Sequence, residues 1–155
     1  MLLRSPLDFA RADPETTRRK VLLLSAVAAY FNVLALSEFG GRMGAERQPG
    51  LVEQVVAAAF QAFAGFDPHP DPFDKAAMLL RGITEGHPFQ DANKRTGFLV
   101  ATYYLAQMGV EPVDPVPEAH LIDLAVRVSA GQLRDLAQIA DALRPVYQSN
   151  PDRRS

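Results

Sequence analysis

The chain has 155 residues, 48% of them hydrophobic and 22% charged, with a formal net charge of −2. That is about one domain, apolar enough to bury a core and outside the composition of disordered chains. So weak a charge gives no electrostatic case for a nucleic-acid or membrane partner, and the lack of cysteine excludes disulfides and thiolate metal sites, which fits a reducing cytoplasm.

Apolar spacing is helical nearly throughout, and no segment alternates cleanly with period two. The first helix is predicted from Pro14 to about Ser37, with Asp13 as N-cap, Pro14 at the first helical position and Gly40-Gly41 just past the end. It holds the longest apolar run, Val21 to Leu36, which is broken by Ser25 and Asn32 and is shorter than the ~20 apolar residues of a bilayer span. Arg18, Arg19 and Lys20 precede this run as they would in a signal peptide. The acids Asp8, Asp13 and Glu15 and the late start favour a buried core helix instead. Residues 38–49 read as a loop.

A second helix is predicted over Leu51 to about Ala64, ended by Gly65. GFDPHPDP (65–72) carries three prolines in eight residues and must be extended or turned. The third helix starts with Asp71 as N-cap and Pro72 at the first position and stops at Gly86. A fourth begins between Ala92 and Lys94 and runs through GFLVATYYLAQM to a stop at Gly109. EPVDPVP is a second proline-rich break. Helices from Glu118 to about Ser129 and from Gln132 to about Leu143 follow, separated by Ala130-Gly131. NPDRRS is a polar tail. The expectation is an all-α protein: one domain over residues 1–148, of about six helices, and a tail over 149–155.

Most of the polar chemistry lies in HPFQDANKRTG, residues 87–97, between two central helices. The N-terminus of the helix it opens carries free N–H groups and a positive dipole end, which favours anions. Ala92 and Asn93 are small enough to let backbone amides approach a phosphate, and Lys94 and Arg95 add positive charge. Asp91 would repel a bare phosphate, but it makes sense as a ligand to Mg²⁺, which commonly binds through one or two carboxylates plus substrate phosphates. His87, on the other wall of the turn, could take a proton from an attacking hydroxyl. Phe89 would anchor the loop in the core. Taken singly, each residue has a plainer reading: a histidine before a proline, a helix cap, a solvated helix start. Together they fill the roles that phosphoryl-type transfer requires.

HPFQDANKR resembles the signature of the Fic/Doc superfamily, HxFx(D/E)(G/A)N(G/K)R. PDPFDKAAMLLRGITEGHPF and VRVSAGQLRDLAQIADALR are similar to segments of its Doc (death-on-curing) branch, so the resemblance covers roughly residues 35–145. It implies His87 as the base, Asp91 as the Mg²⁺ ligand, Asn93 with the amides of Ala92 to Lys94 around one phosphate, and Arg95 on a neighbouring one. GFDPHPDP lies where the family has a flap that docks the target chain as an added strand, which would place Phe66, Asp67, Pro68 and His69 there.

Two positions separate branches of the family. Members that transfer AMP have Gly where this chain has Lys94, and they carry a second Arg where it has Phe98. The Doc branch shares the Lys. The resemblance therefore implies an ATP- and Mg²⁺-dependent kinase acting on a Ser/Thr hydroxyl of a target protein, elongation factor Tu in that branch, and hence a growth-arresting toxin. The chain has no (S/T)xxxE(G/N) inhibitory helix, since Thr84-Glu85-Gly86 has the wrong spacing. A Phd-like antitoxin is expected in its place, with a segment that folds on binding. The alternatives are AMP or another nucleotidyl transfer, a catalytically degenerate Fic fold kept for binding, and a DNA-binding helix-turn-helix over residues 119–143. Asp135 and Asp141 beside a single Arg134 speak against the last.

Overall fold

The computed structural model describes residues 7–39, 46–61, 66–114 and 118–149. Helices α1 (Pro14–Phe39), α2 (Leu51–Ala58), α3 (Pro72–Gly86), α4 (Asn93–Gln107), α5 (Glu118–Ser129) and α6 (Leu136–Leu143) make up the body. A 3₁₀ turn, Arg144–Val146, follows, and two short strands, β1 (Val110–Pro112) and β2 (Tyr147–Ser149), pair antiparallel. Among the described residues the protein is all-α apart from this small ribbon.

The helix starts follow from their caps. Asp13 accepts from the backbone N–H and hydroxyl of Thr16 at 3.0 and 2.7 Å, which opens α1. Asp71 accepts from the N–H of Phe73 at 2.8 Å, with Pro72 at the first position of α3. Asp71 also receives Arg144 at 2.6 Å, which ties the chain's last turn to the start of α3. Asp135 caps α6 through the N–H of Ala137 at 2.8 Å. The helix expected from Gln132 therefore begins only at Leu136, because the Asp135 side chain holds its own backbone extended. The second helix also ends early, at Ala58. The N–H groups of Ala59 and Phe60 bond carbonyls three residues back, and the Phe60 ring packs edge-on against Tyr104 at 5.7 Å. Gly65 and Gly40-Gly41, expected as helix stops, lie outside the described residues.

By length and composition α1 could cross a membrane. Its stripe Leu24, Ala28, Asn32 and Ala35 is nonetheless buried, and α1 packs on α4 and α2. Recurrence at i, i+4, i+8 and i+11 is the spacing of a core-facing helix side. The ribbon was invisible to periodicity because three-residue strands are too short to alternate. Ser149 pairs with Val110, so the folded body reaches one residue into the expected tail.

Helices α3 and α4, which flank the motif, form the main packed pair. Ala76, Leu79, Leu80 and Ile83 of α3 and Val100, Ala101 and Leu105 of α4 are buried in it. Gly97 sets the approach. A Cβ there would meet Thr84 Cγ2 at 3.2 Å, Ile83 Cβ at 3.3 Å and the Leu80 carbonyl at 3.3 Å, so a side chain would crowd α3 at the point of closest approach.

Alanine is the better helix former by ~1 kcal/mol, so propensity alone predicts that Gly97→Ala stabilises. The contacts predict the opposite: thermal unfolding followed by circular dichroism should show a lower Tm. A raised Tm would mean that α3 and α4 have slack at this crossing.

Candidate active site

The motif loop is built around Phe89. Its ring is among the largest fully buried side chains, at 1% exposure. The Asn93 side chain holds the same residue by its backbone: Phe89 N–H donates to Asn93 Oδ1 at 2.9 Å, and Asn93 Nδ2 donates to the Phe89 carbonyl at 3.0 Å. One amide thus satisfies both polar groups of a buried residue, as a neighbouring strand would. Glu46 pairs with Phe89 as an antiparallel bridge on its other edge.

Two non-glycine residues adopt positive φ among the described residues, and they bracket this closure. His87 has φ 46° at the end of α3, and Ala92 has φ 61° at the start of α4. Such conformations cost of order 1–3 kcal/mol and persist where the surroundings impose them. At Ala92 the constraint comes from α1. Asn32 Nδ2 donates to the Asp91 carbonyl at 2.8 Å and to Thr96 Oγ1 at 3.2 Å. A trans peptide points its C=O and N–H in opposite directions. Drawing the Asp91 carbonyl inward therefore turns the Ala92 N–H outward, where it donates to Asp91 Oδ1 at 2.8 Å. Regular bonding in α4 begins with Thr96 N–H to the Ala92 carbonyl at 3.0 Å. The N–H groups of Asn93 and Lys94 lie at the helix end, ahead of the first regular intrahelical bond.

His87, Asp91, Lys94 and Arg95 are all exposed. The loop thus carries an imidazole on one lip, a carboxylate at its apex, and an amide-lined helix end with two cations on the other lip. Phe89 is buried in the core. The Asn93 side chain does not join the site: it is buried and bonded to Phe89, which leaves only its backbone N–H to meet a phosphate. Phe98 packs partly against the core, in line with an apolar inner face.

The segment expected as a flap, Phe66, Asp67, Pro68 and His69, is held by contacts of its own. Asp67 pairs with the buried Lys75 at 2.9 Å and accepts from the His69 N–H at 2.9 Å. Lys75 in turn stands 5.4 Å from the Phe60 ring, which packs on Tyr104. Tyr104 is eleven residues along α4 from Asn93, or roughly 16 Å at the helical rise of 1.5 Å per residue. Burial pushes the Asp67 carboxyl up, but the Lys75 ammonium and the His69 N–H outweigh it and hold it below its ordinary range. The segment is fixed by its own ion pair at the far end of α4.

The segment beside the motif is Glu46-Arg47. The Arg47 backbone N–H donates to the Pro88 carbonyl at 2.9 Å. Its guanidinium donates to the carbonyl of Gly86 at 3.0 Å and to that of His87. Glu46 caps α2 through the N–H groups of Val52 at 3.0 Å and Gly50 at 3.3 Å. Arg47 gave no signal in the sequence, sitting as it does in a loop of glycines and mixed charge. Asn32 did give one: it is a polar side chain set between Ala28 and Ala35 on the buried stripe of α1.

The chain matches the family described as Fic/DOC over residues 13–105. It belongs to the Fic/DOC family. The Fic/DOC match runs through α1, the Glu46-Arg47 segment and the motif. Over 114 residues the chain is 35% identical to the protein kinase doc of Escherichia phage P1, an alignment spanning 74% of this chain and 86% of that protein. Over 73 residues it is 37% identical to the toxin Doc of Mycolicibacterium smegmatis, spanning 47% of this chain and 55% of that protein.

Replacing Asn93 by Ala strands the N–H and C=O of Phe89 in the interior. At ~1–3 kcal/mol for each of the two unmet groups, Asn93→Ala should lose about 2–6 kcal/mol in urea unfolding. An unchanged unfolding free energy would show that the loop closes without this amide.

Proposed function

We propose that this Fic/DOC protein is a Doc-like toxin that transfers the γ-phosphoryl group of ATP to a Ser/Thr hydroxyl of a target protein, acts in the cytoplasm, and is silenced by an antitoxin. The observation that carries this is the helix end of α4. The helix-end amides of Asn93 and Lys94, with the exposed Lys94 and Arg95 side chains, suit a chain of phosphates, and His87 is exposed at the other end of the loop. The name of the phage relative, a protein kinase, supports phosphoryl transfer, and that of the mycobacterial relative, a toxin, supports an antitoxin partner. The resemblance to the Doc branch names elongation factor Tu as the target to try first.

In this mechanism His87 accepts the proton of the target hydroxyl. The hydroxyl oxygen forms a bond to the γ-phosphorus, the bond from that phosphorus to the β–γ bridging oxygen breaks, and ADP leaves with the electron pair. The amides of Asn93 and Lys94 and the cationic side chains of Lys94 and Arg95 hold the phosphates and offset charge on the oxygens. Asp91 fits a Mg²⁺ ligand. It is an exposed carboxylate with one oxygen already turned to the Ala92 N–H, and no group of three or more His, Asp or Glu gathers among the described residues. A lone carboxylate suits an ion that draws its other ligands from phosphates and water. Such an ion would neutralise charge on the phosphates.

His87→Ala should lower transfer by roughly 10²- to 10⁴-fold while circular dichroism shows an intact fold; retained activity would remove His87 as the base. A second assay incubates the protein with ATP labelled at the α or the γ position and either purified elongation factor Tu or a bacterial lysate. Label should enter protein from the γ position. Entry from the α position alone would point to AMP transfer, and entry from neither to a binding protein.

A further inference from the structure

The turn that presents His87 lacks the usual means of holding itself. A helix that ends on a left-handed residue commonly closes by a bond from the next residue's N–H to a carbonyl in the last helical turn. His87 is that left-handed residue, at φ 46° and ψ 55°. The next residue is Pro88, which has no N–H to give. A non-glycine residue is thus held in a costly conformation without the bond that normally secures it.

We propose that Arg47 is the positioning residue for His87, its guanidinium standing in for the amide that Pro88 lacks. The assignment rests on His87 acting as the base. Arg47 donates to the carbonyls of both Gly86 and His87, the carbonyls on either side of the strained residue. A planar fork can span two neighbouring acceptors, where an ammonium offers a point charge. A cation at the C-terminus of α3 also meets the negative end of that helix. The support is itself fixed. The Arg47 N–H bonds the Pro88 carbonyl at 2.9 Å, and Glu46 is locked to α2 by its bonds to Gly50 and Val52. The α2 cap, Arg47 and the His87 turn form one mechanical chain, so the direction of the imidazole depends on a residue forty positions upstream.

A misplacement of about 1 Å can cost on the order of 10²-fold in rate, so Arg47→Ala should lower kcat by roughly 10- to 100-fold. KM for ATP should stay within about twofold, because a residue that sets the base acts on the chemical step and leaves nucleotide binding alone. Arg47→Lys should recover only part of the loss. The decisive variant is Arg47→Ala with Pro88→Ala, which returns an N–H to position 88. It should turn over faster than Arg47→Ala alone, a non-additivity that a merely structural role would not produce. Where Arg47→Ala does not fold by circular dichroism, Arg47→Gln, which keeps one donor, replaces it.

An unchanged kcat in Arg47→Ala, a raised KM for ATP at constant kcat, or a double variant no better than the single would each overturn the assignment. Should the wild-type protein transfer no label, the proposed reaction falls on its own. The role of Arg47 is then read from the ¹³Cα and ¹³Cβ shifts of His87. They should leave left-handed values in Arg47→Ala, and unchanged shifts would refute it.

Discussion

The Asn93 side chain reaches back four residues and bonds both polar groups of the Phe89 backbone. This closure makes the rest of the site possible. A buried ring brings its own peptide groups into the interior, and each must find a partner there. Asn93 supplies both partners at once. With Phe89 pinned inside, Gln90 and Asp91 form an exposed turn, and α4 has to begin immediately after it. The polar residues face solvent because the apolar one between them does not.

Two further supports convert that closure into a presentation device. Asn32, from α1, draws the Asp91 carbonyl inward and so turns the first amide of the helix end outward. Arg47, from the segment before α2, holds the carbonyls around His87. Each support stands beside one of the two left-handed residues, His87 and Ala92. Backbone strain of this kind is sustained when surrounding structure over-determines it. Here the overdetermination comes from three separate parts of the chain, with Gly97 letting α3 and α4 close beneath. A cost remains visible at Asn32, whose Oδ1 is buried and has no partner among the described residues.

Much of this was legible in the sequence. Asp71-Pro72 and Gly86 marked the ends of α3, because capping and proline chemistry are local. The spacing of HPFQDANKR marked the loop. What was not legible depended on distant partners. Asn93 reads as a phosphate ligand until its distance to Phe89 is known. The pairing of Asp67 in GFDPHPDP with Lys75 also needs the fold to be seen. Arg47 in a glycine-rich loop says nothing about a turn forty residues later. The early end of α2 and the late start of α6 were missed for the same kind of reason. Phe60 turns inward to Tyr104, and Asp135 spends its side chain on a cap, where helical spacing alone would have continued.

The central claim is that the start of α4 is a phosphate site whose ligands are backbone amides, with the Asn93 side chain withheld for closure. It is tested most directly by titrating ¹⁵N-labelled protein with ATP, with and without Mg²⁺, and following amide resonances. The account predicts that the backbone amides of Asn93 and Lys94 shift on binding while the Asn93 side-chain amide stays where Phe89 holds it. Saturation that leaves those backbone amides in place, or that moves the Asn93 side chain in their stead, would contradict it.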